Sequence, residues 1–218
     1  MPDPAAPGPA GLPIDTGRVG PVEECGVFGV WAPGEEVAKF AFYGLYALQH
    51  RGQEAAGISV GDGEKVLVYK DLGLVSQVFD EKTLESMHGH VAIGHCRYST
   101  TGAATWDNAQ PMFRPISDGG SVVLGHNGNL VNTRELKRHA TALGIRGYSE
   151  DSSHSDSDII STLLAHEAGD GGLEEAAARL LPRLRGAYCL TFSDENTLYA
   201  ARDPHGVRPL SLGRLERG

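Results

Sequence analysis

The chain has 218 residues, 40% apolar and 22% charged, which suits a folded core and excludes a disordered composition. A formal net charge of -9 argues against nucleic acid or an anionic membrane surface as the main partner. No stretch reaches the roughly 20 apolar residues of a membrane span, no basic region followed by an apolar run marks a secretory signal, and Cys25, Cys96 and Cys189 are too far apart for a disulfide framework or a zinc pair, so the expected compartment is the cytoplasm.

Residues 1–22 are rich in Pro, Gly and Ala without periodicity, and order is expected to begin at Cys25, which makes 1–24 a disordered leader or propeptide. GVFGVW (26–31) predicts a strand, and EVAKFAFYGLYALQ (36–49) a mostly buried helix. AGISVG (56–61) and KVLVYK (65–70) predict a hairpin around GDGE, followed by short helical pieces at 72–79 and 81–87. HVAIGHCRYS (90–99) starts as a strand and ends in a polar cluster. Residues 100–117 lack periodicity and are expected to form a long functional loop. SVVLGHNG (121–128) predicts a second strand running into a polar tip, and 132–143 a helix. Ser155 and Asp158 form a capping-box pattern ahead of the helix DIISTLLAHEA, and a helix at 173–184 contains the breaker Pro182. GAYCLTFS (186–193) and TLYAAR (197–202) close the pattern as a hairpin before a Gly/Pro-rich exit. Many strands without regular βαβ units predict sheets packed on each other with helices outside.

Several residues carry candidate chemistry. A thiolate at Cys25 could attack a carbonyl or amide carbon; if 1–24 were cut away, its own α-amine, of pKa roughly 7.7–8.0, could take the thiol proton. The competing reading is a core cysteine. The side-chain amide of Asn127 and a neighbouring backbone N–H at Gly128 supply two donors of the kind an oxyanion needs, although Asn-Gly is also a common turn. Arg97 matches a carboxylate in bidentate fashion, or is a surface arginine. Asp156 could pair with an ammonium, or serve as an acid at a helix start. Together Arg97 and Asp156 would read the two α-groups of an amino acid. His95, His126 and His154 flank these clusters, so residue types alone leave open a Cys–His hydrolase or a metal site, without any tight ligand spacing in favour of the metal.

CGVFGV (25–30), LQHRGQEAAGI (48–58), GHCRYSTTG (94–102), NAQPMF (108–113), HNGNLVN (126–132), SDSD (155–158) and RDPHGVRPL (202–210) resemble the glutaminase domain of the glutamine phosphoribosylpyrophosphate amidotransferase (amidophosphoribosyltransferase) family. These are class II glutamine amidotransferases, and the resemblance runs in one order over nearly all of 25–213. It implies an α+β, four-layer α/β/β/α sandwich of the N-terminal-nucleophile hydrolase type over 25–218. It also implies that Cys25 is the nucleophile and that Asn127 and Gly128 form the oxyanion hole. Arg97 and Asp156 would hold the α-carboxylate and α-amine of L-glutamine. Tyr98, Ser99 and Thr100 would belong to the loop over the substrate, with Arg51 and Gln53 in support.

The implied chemistry is a γ-glutamyl thioester, released ammonia, and conversion of phosphoribosyl pyrophosphate to 5-phosphoribosylamine for purine synthesis by a phosphoribosyltransferase domain that is expected to be absent from this chain. This part alone would at most hydrolyse glutamine and carry no cofactor. Magnesium and a 4Fe–4S cluster would belong to the longer enzyme, which the resemblance implies is a homo-oligomer. The alternatives are another class II amidotransferase, such as a sugar-phosphate-aminating enzyme, and an unprocessed, non-catalytic glutamine-binding module.

Overall fold

The computed structural model describes residues 25–98, 105–117, 119–169 and 171–214. The expected leader lies outside them. In chain order the described elements are β1 (Gly26–Trp31), α1 (Val37–Ala47), β2 (Ala55–Gly61), β3 (Val66–Leu72), α2 (Val75–Val78), α3 (Glu81–Ser86), β4 (Val91–Arg97), β5 (Met112–Pro115), β6 (Ser121–Leu130), α4 (Thr133–Ala142), α5 (Asp156–Ala168), α6 (Leu173–Leu180), β7 (Gly186–Ser193) and β8 (Leu198–Arg202). The strands form two antiparallel sheets, ordered β1-β4-β2-β3 and β5-β6-β7-β8. Helix α1 lies on β1, β2 and β4; α5 lies on β5 and β6 and is flanked by α4 and α6; β1 and β4 face β6 and β7. The result is the expected four-layer α/β/β/α sandwich. No described helix is long and apolar enough to cross a membrane.

Strand alternation divides each sheet into two unlike faces. Ala56, Ile58 and Val60 of β2, with Ala92 and Cys96 of β4, join Val37, Ala41 and Leu45 of α1 in one apolar core. Val122, Leu124, Tyr188, Leu190 and Phe192 join Ile159, Ile160, Leu163 and Leu164 of α5 in the other. The alternate residues look across at the opposite sheet, and many are small or polar: Ala55, Gly57 and Ser59 on β2, His95 on β4, Gly125 and Asn127 on β6, Thr191 and Ser193 on β7, with the buried apolar Ile93 and Val123 among them. Smallness here permits close approach. A Cβ on Gly57 would stand 2.2 Å from the Gln110 carbonyl oxygen, in the chain leading into β5.

Four local expectations are corrected. The segment 100–117 is not all loop: Met112–Pro115 pairs with Ser121–Leu124 as an edge strand, the place where a sheet tolerates proline. Asn127-Gly128 is neither strand tip nor turn, because β6 continues to Leu130 and pairs them with Cys189 and Tyr188. Ser155 caps α5 by accepting from the Asp158 N–H at 3.2 Å, but the Asp158 carboxylate turns to Arg114 and Tyr148 instead of closing a capping box. The helix expected over 173–184 ends at Leu180, and a single 3₁₀ turn carries Pro182. The exit segment is ordered by one buried carboxylate: Asp203 accepts backbone N–H groups of Tyr188, His205, Val207 and Arg208 at 3.0–3.3 Å.

Candidate active site

Cys25 stands immediately before β1. Extending the β1–β4 register by one residue from the Gly26–Cys96 pair sets it opposite Arg97. The Tyr98 backbone N–H donates to its Sγ at 3.4 Å, and the Arg51 Nε donates to its carbonyl oxygen at 3.4 Å. The thiol is half-buried, and burial pushes it above its ordinary pKa. The Tyr98 backbone and the Arg97 guanidinium act against that shift, whereas the Asp156 carboxylate adds to it. Both charges therefore act on the sulfur, one from the end of β4 and the other from the start of α5. As it stands the thiol is protonated at neutral pH and needs a base before it can attack.

Arg97 is buried at the end of β4, and its Nη1 lies 3.3 Å from the Glu54 carboxylate. Glu54 also donates its backbone N–H to the Arg97 carbonyl oxygen at 3.1 Å. An arginine inside a sheet needs such a partner, because an unpaired buried charge is costly. Sequence reading missed Glu54, although it follows HRGQ directly. Of the two supporting residues expected there, Arg51 reaches Cys25 and Gln53 is exposed.

The second sheet brings the rest. Asn127 is buried on the face of β6 turned to the first sheet, and its Oδ1 has no protein partner among the described residues. Gly128 has φ +147, and a Cβ there would stand 2.1 Å from the Ala187 carbonyl oxygen, so only glycine fits. Asp156 opens α5. Its carboxylate accepts the Leu130 N–H at 3.1 Å and the Ser157 N–H at 2.9 Å, and lies 3.6 Å from His126 Nδ1. Thus Cys25, Arg97 and Tyr98 lie together, the Asp156 charge acts on the same sulfur, and Asn127 and Gly128 lie on the β6 segment next to which Asp156 is held. Ser99 and Thr100 lie outside the described residues. His154 is elsewhere, pairing with Asp158 at 3.0 Å. His95 is fully buried between the sheets and gives its Nε2 to the His126 carbonyl oxygen at 3.0 Å, not to Cys25. Among the described residues no three His, Cys, Asp or Glu side chains gather as a metal site.

A thiol beside a backbone N–H, flanked by a buried arginine and a fixed carboxylate, can hold a zwitterionic amino acid with its side chain against sulfur. The sequence profile of the family described as a glutamine amidotransferase domain matches residues 95–218. The chain belongs to that family. This amidotransferase domain is 70% identical over 199 residues to an amidophosphoribosyltransferase of Mycobacterium leprae, covering 91% of this chain and 36% of the relative. It is 41% identical over 193 residues to an amidophosphoribosyltransferase of Bacillus subtilis, covering 88% of this chain and 39% of the relative. A solved glutamine phosphoribosylpyrophosphate amidotransferase from B. subtilis, complexed with ADP and GMP, superposes with a TM-score of 0.75 at 39% identity, covering 87% of this chain and 40% of that one. The amidotransferase domain therefore spans between 36% and 40% of the length of these relatives.

Proposed function

We propose that this chain is the glutamine-hydrolysing part of an amidophosphoribosyltransferase. The observation that carries the reading is that the Cys25 sulfur feels both the Arg97 guanidinium from its own sheet and the Asp156 carboxylate at the start of α5, which is bonded to β6 beside Asn127 and Gly128. Arg97 would clamp the α-carboxylate of L-glutamine, and Asp156 would take the ammonium. With both α-groups fixed, the side-chain amide carbon falls at the Cys25 sulfur.

The thiol sits above its ordinary pKa, so it depends on a base. Cleavage of the Glu24–Cys25 bond would free an α-amine of pKa roughly 7.7–8.0 on the same residue. That amine takes the thiol proton as sulfur bonds to carbon and the carbonyl electrons move to oxygen. The oxyanion is held by the Asn127 amide and the Gly128 N–H. Collapse breaks the C–N bond, the proton passes to the leaving nitrogen, and ammonia departs from a γ-glutamyl thioester. Water then attacks the thioester and gives a proton to the amine, which passes it to sulfur as the C–S bond breaks and glutamate is released. Tyr98, with Ser99 and Thr100 after it, would cover the bound glutamine.

In the longer protein the ammonia would displace pyrophosphate from phosphoribosyl pyrophosphate in a further, phosphoribosyltransferase domain, in a cytoplasmic homo-oligomer. Magnesium would serve that second reaction. The described residues do not fit an iron–sulfur cluster: Cys96 is buried towards α1, Cys189 lies on β7, and burial pushes each thiol up to about 11. No step of glutamine hydrolysis runs through either group.

The test compares the protein as purified, its N-terminus fixed by intact mass, with Cys25→Ala. Ammonia release should require an N-terminal Cys25 and should fall at least about a thousandfold in the variant. Full turnover with residue 24 still attached would remove the α-amine from the mechanism, and undiminished turnover in Cys25→Ala would remove the nucleophile.

A further inference from the structure

His126 precedes the proposed oxyanion residues and touches neither the thiol nor the Arg97 guanidinium in any described contact. It is nevertheless bonded through every part that the fold can reach. Its backbone N–H donates to Gln110 Oε1 at 2.8 Å, and its carbonyl oxygen accepts from His95 Nε2 at 3.0 Å. Its Nδ1 lies 3.0 Å from Ser157 Oγ and 3.6 Å from Asp156 Oδ1. Gln110 closes the ring by donating its Nε2 to Ser157 Oγ at 3.1 Å. His95, Gln110, His126 and Ser157 are all at most 6% exposed.

The arrangement has a consequence for length. The start of α5 meets β6 on either side of Asn127-Gly128: the Ser157 hydroxyl bonds the His126 ring at 3.0 Å, and the neighbouring Asp156 carboxylate accepts the Leu130 N–H at 3.1 Å. The group proposed to take the ammonium is thereby fixed to the same strand segment that presents the proposed oxyanion donors. Resting on the reading above, we propose that His126 is a positioning residue: it sets the spacing between Asp156 and Asn127-Gly128, and that spacing selects the four-carbon reach of glutamine over the shorter asparagine.

Charge supports this role. Burial pushes His126 below its ordinary pKa against the opposing pull of Asp156, so the ring is neutral near pH 7. A neutral ring holds Ser157, whose own N–H donates to the Asp156 carboxylate, and leaves the charge of that carboxylate available to an ammonium. The nearby carboxylate favours the proton on Nδ1, and the remaining Nε2, buried without a partner among the described residues, is then a lone pair rather than an orphaned donor.

The experiment uses the full chain with Cys25 intact for kinetics, and with Cys25→Ala for glutamine binding by calorimetry. His126→Leu removes the donor at similar volume; His126→Asn returns an N–H near the Nδ1 position. The expected result for His126→Leu is glutamine affinity weakened, and KM raised, by about two- to tenfold, the range of a neutral hydrogen bond. Its kcat should fall less than KM rises, and its preference for glutamine over asparagine should narrow. His126→Asn should recover most of both. Unchanged KM and preference in His126→Leu would overturn the proposal, as would a loss confined to kcat, or an Asn variant no better than Leu at equal thermal stability. If His126→Leu does not fold, Ser157→Ala breaks the same ring from its other corner and must show the same KM and preference effects. Asp156→Asn separates the two layers of inference: if it binds glutamine normally, the ammonium assignment itself has failed.

Discussion

Each sheet of this sandwich has two faces that obey different rules. Towards the helices the side chains are large and apolar, as in Ile58 against α1 or Leu124 against α5. Towards the other sheet many are glycine, alanine, serine, threonine and histidine, with Ile93 and Val123 among them, and polar atoms there, including His95 Nδ1, Asn127 Oδ1 and Thr191 Oγ1, lack partners among the described residues. Burying polar groups without partners costs stability, so the gap between the sheets is not where the fold gains most. The outer layers hold the molecule together. The inner gap, kept narrow by small residues, brings the two sheets close enough for Cys25 and Arg97 to meet Asn127 and Asp156.

The largest effects should separate these two faces cleanly. Leu163→Ala, in the α5 core, should lower stability by about 2–5 kcal/mol and leave glutamine hydrolysis per folded molecule near normal. Asn127→Ala, facing the gap, should lower kcat by about 10²–10³ with little change in melting temperature. Thermal unfolding and ammonia release measured on both variants decide the matter. Equal loss of stability in both, or equal loss of rate in both, would break the division between an outer layer for stability and an inner gap for chemistry.

This division also explains what was legible in the sequence. Helix-facing apolar periodicity marks α1 and α5 clearly, and β1 and β7 appear at their full length. The polar endings GHCR and GHNG read as strand tips because their polar residues break the alternation expected of a half-buried strand. They are strand nonetheless, since one of the faces looks into a polar gap rather than an apolar core. Met112–Pro115 was missed because four residues around a proline carry no period, and only pairing with β6 makes them a strand. Cys25, Arg97, Asn127 and Asp156 were legible as residue types, and the family resemblance supplied their expected roles. Glu54 beside Arg97, and the ring of Gln110, His126 and Ser157, come from tertiary packing that no local spacing encodes.

A smaller effect sharpens the meaning of the glycines. Gly57→Ala adds one methyl group where a Cβ would meet the Gln110 carbonyl at 2.2 Å. A backbone oxygen cannot swing aside as a side chain can, so β2 and the segment leading into β5 must separate. The expected cost is about 1–3 kcal/mol in denaturant unfolding, with hydrolysis also reduced because Gln110 anchors His126. A stable and fully active Gly57→Ala would mean that the gap has slack, and that small residues are not what sets its width.

The smallest effect per step is set by pH. His95 is fully buried in the gap, and burial pushes its pKa down to about 3, against a partial upward pull from the His126 carbonyl. In the unfolded chain a histidine titrates near 6.5. The folded state therefore binds fewer protons than the unfolded state between these values. Its stability is complete above about 6.5 and declines as pH falls through the interval, with a limiting slope of about 1.4 kcal/mol per pH unit. His126 is shifted in the same direction and steepens the decline. His95→Gln keeps a donor near Nε2 but has nothing to titrate, so its unfolding free energy should fall less steeply between pH 6 and 5, by about one histidine's worth. Denaturant titrations of both proteins across that range measure the difference. Identical slopes would mean that His95 is protonated within the folded protein without penalty, and hence that the gap between the sheets is wetter than its buried, small-residue lining implies.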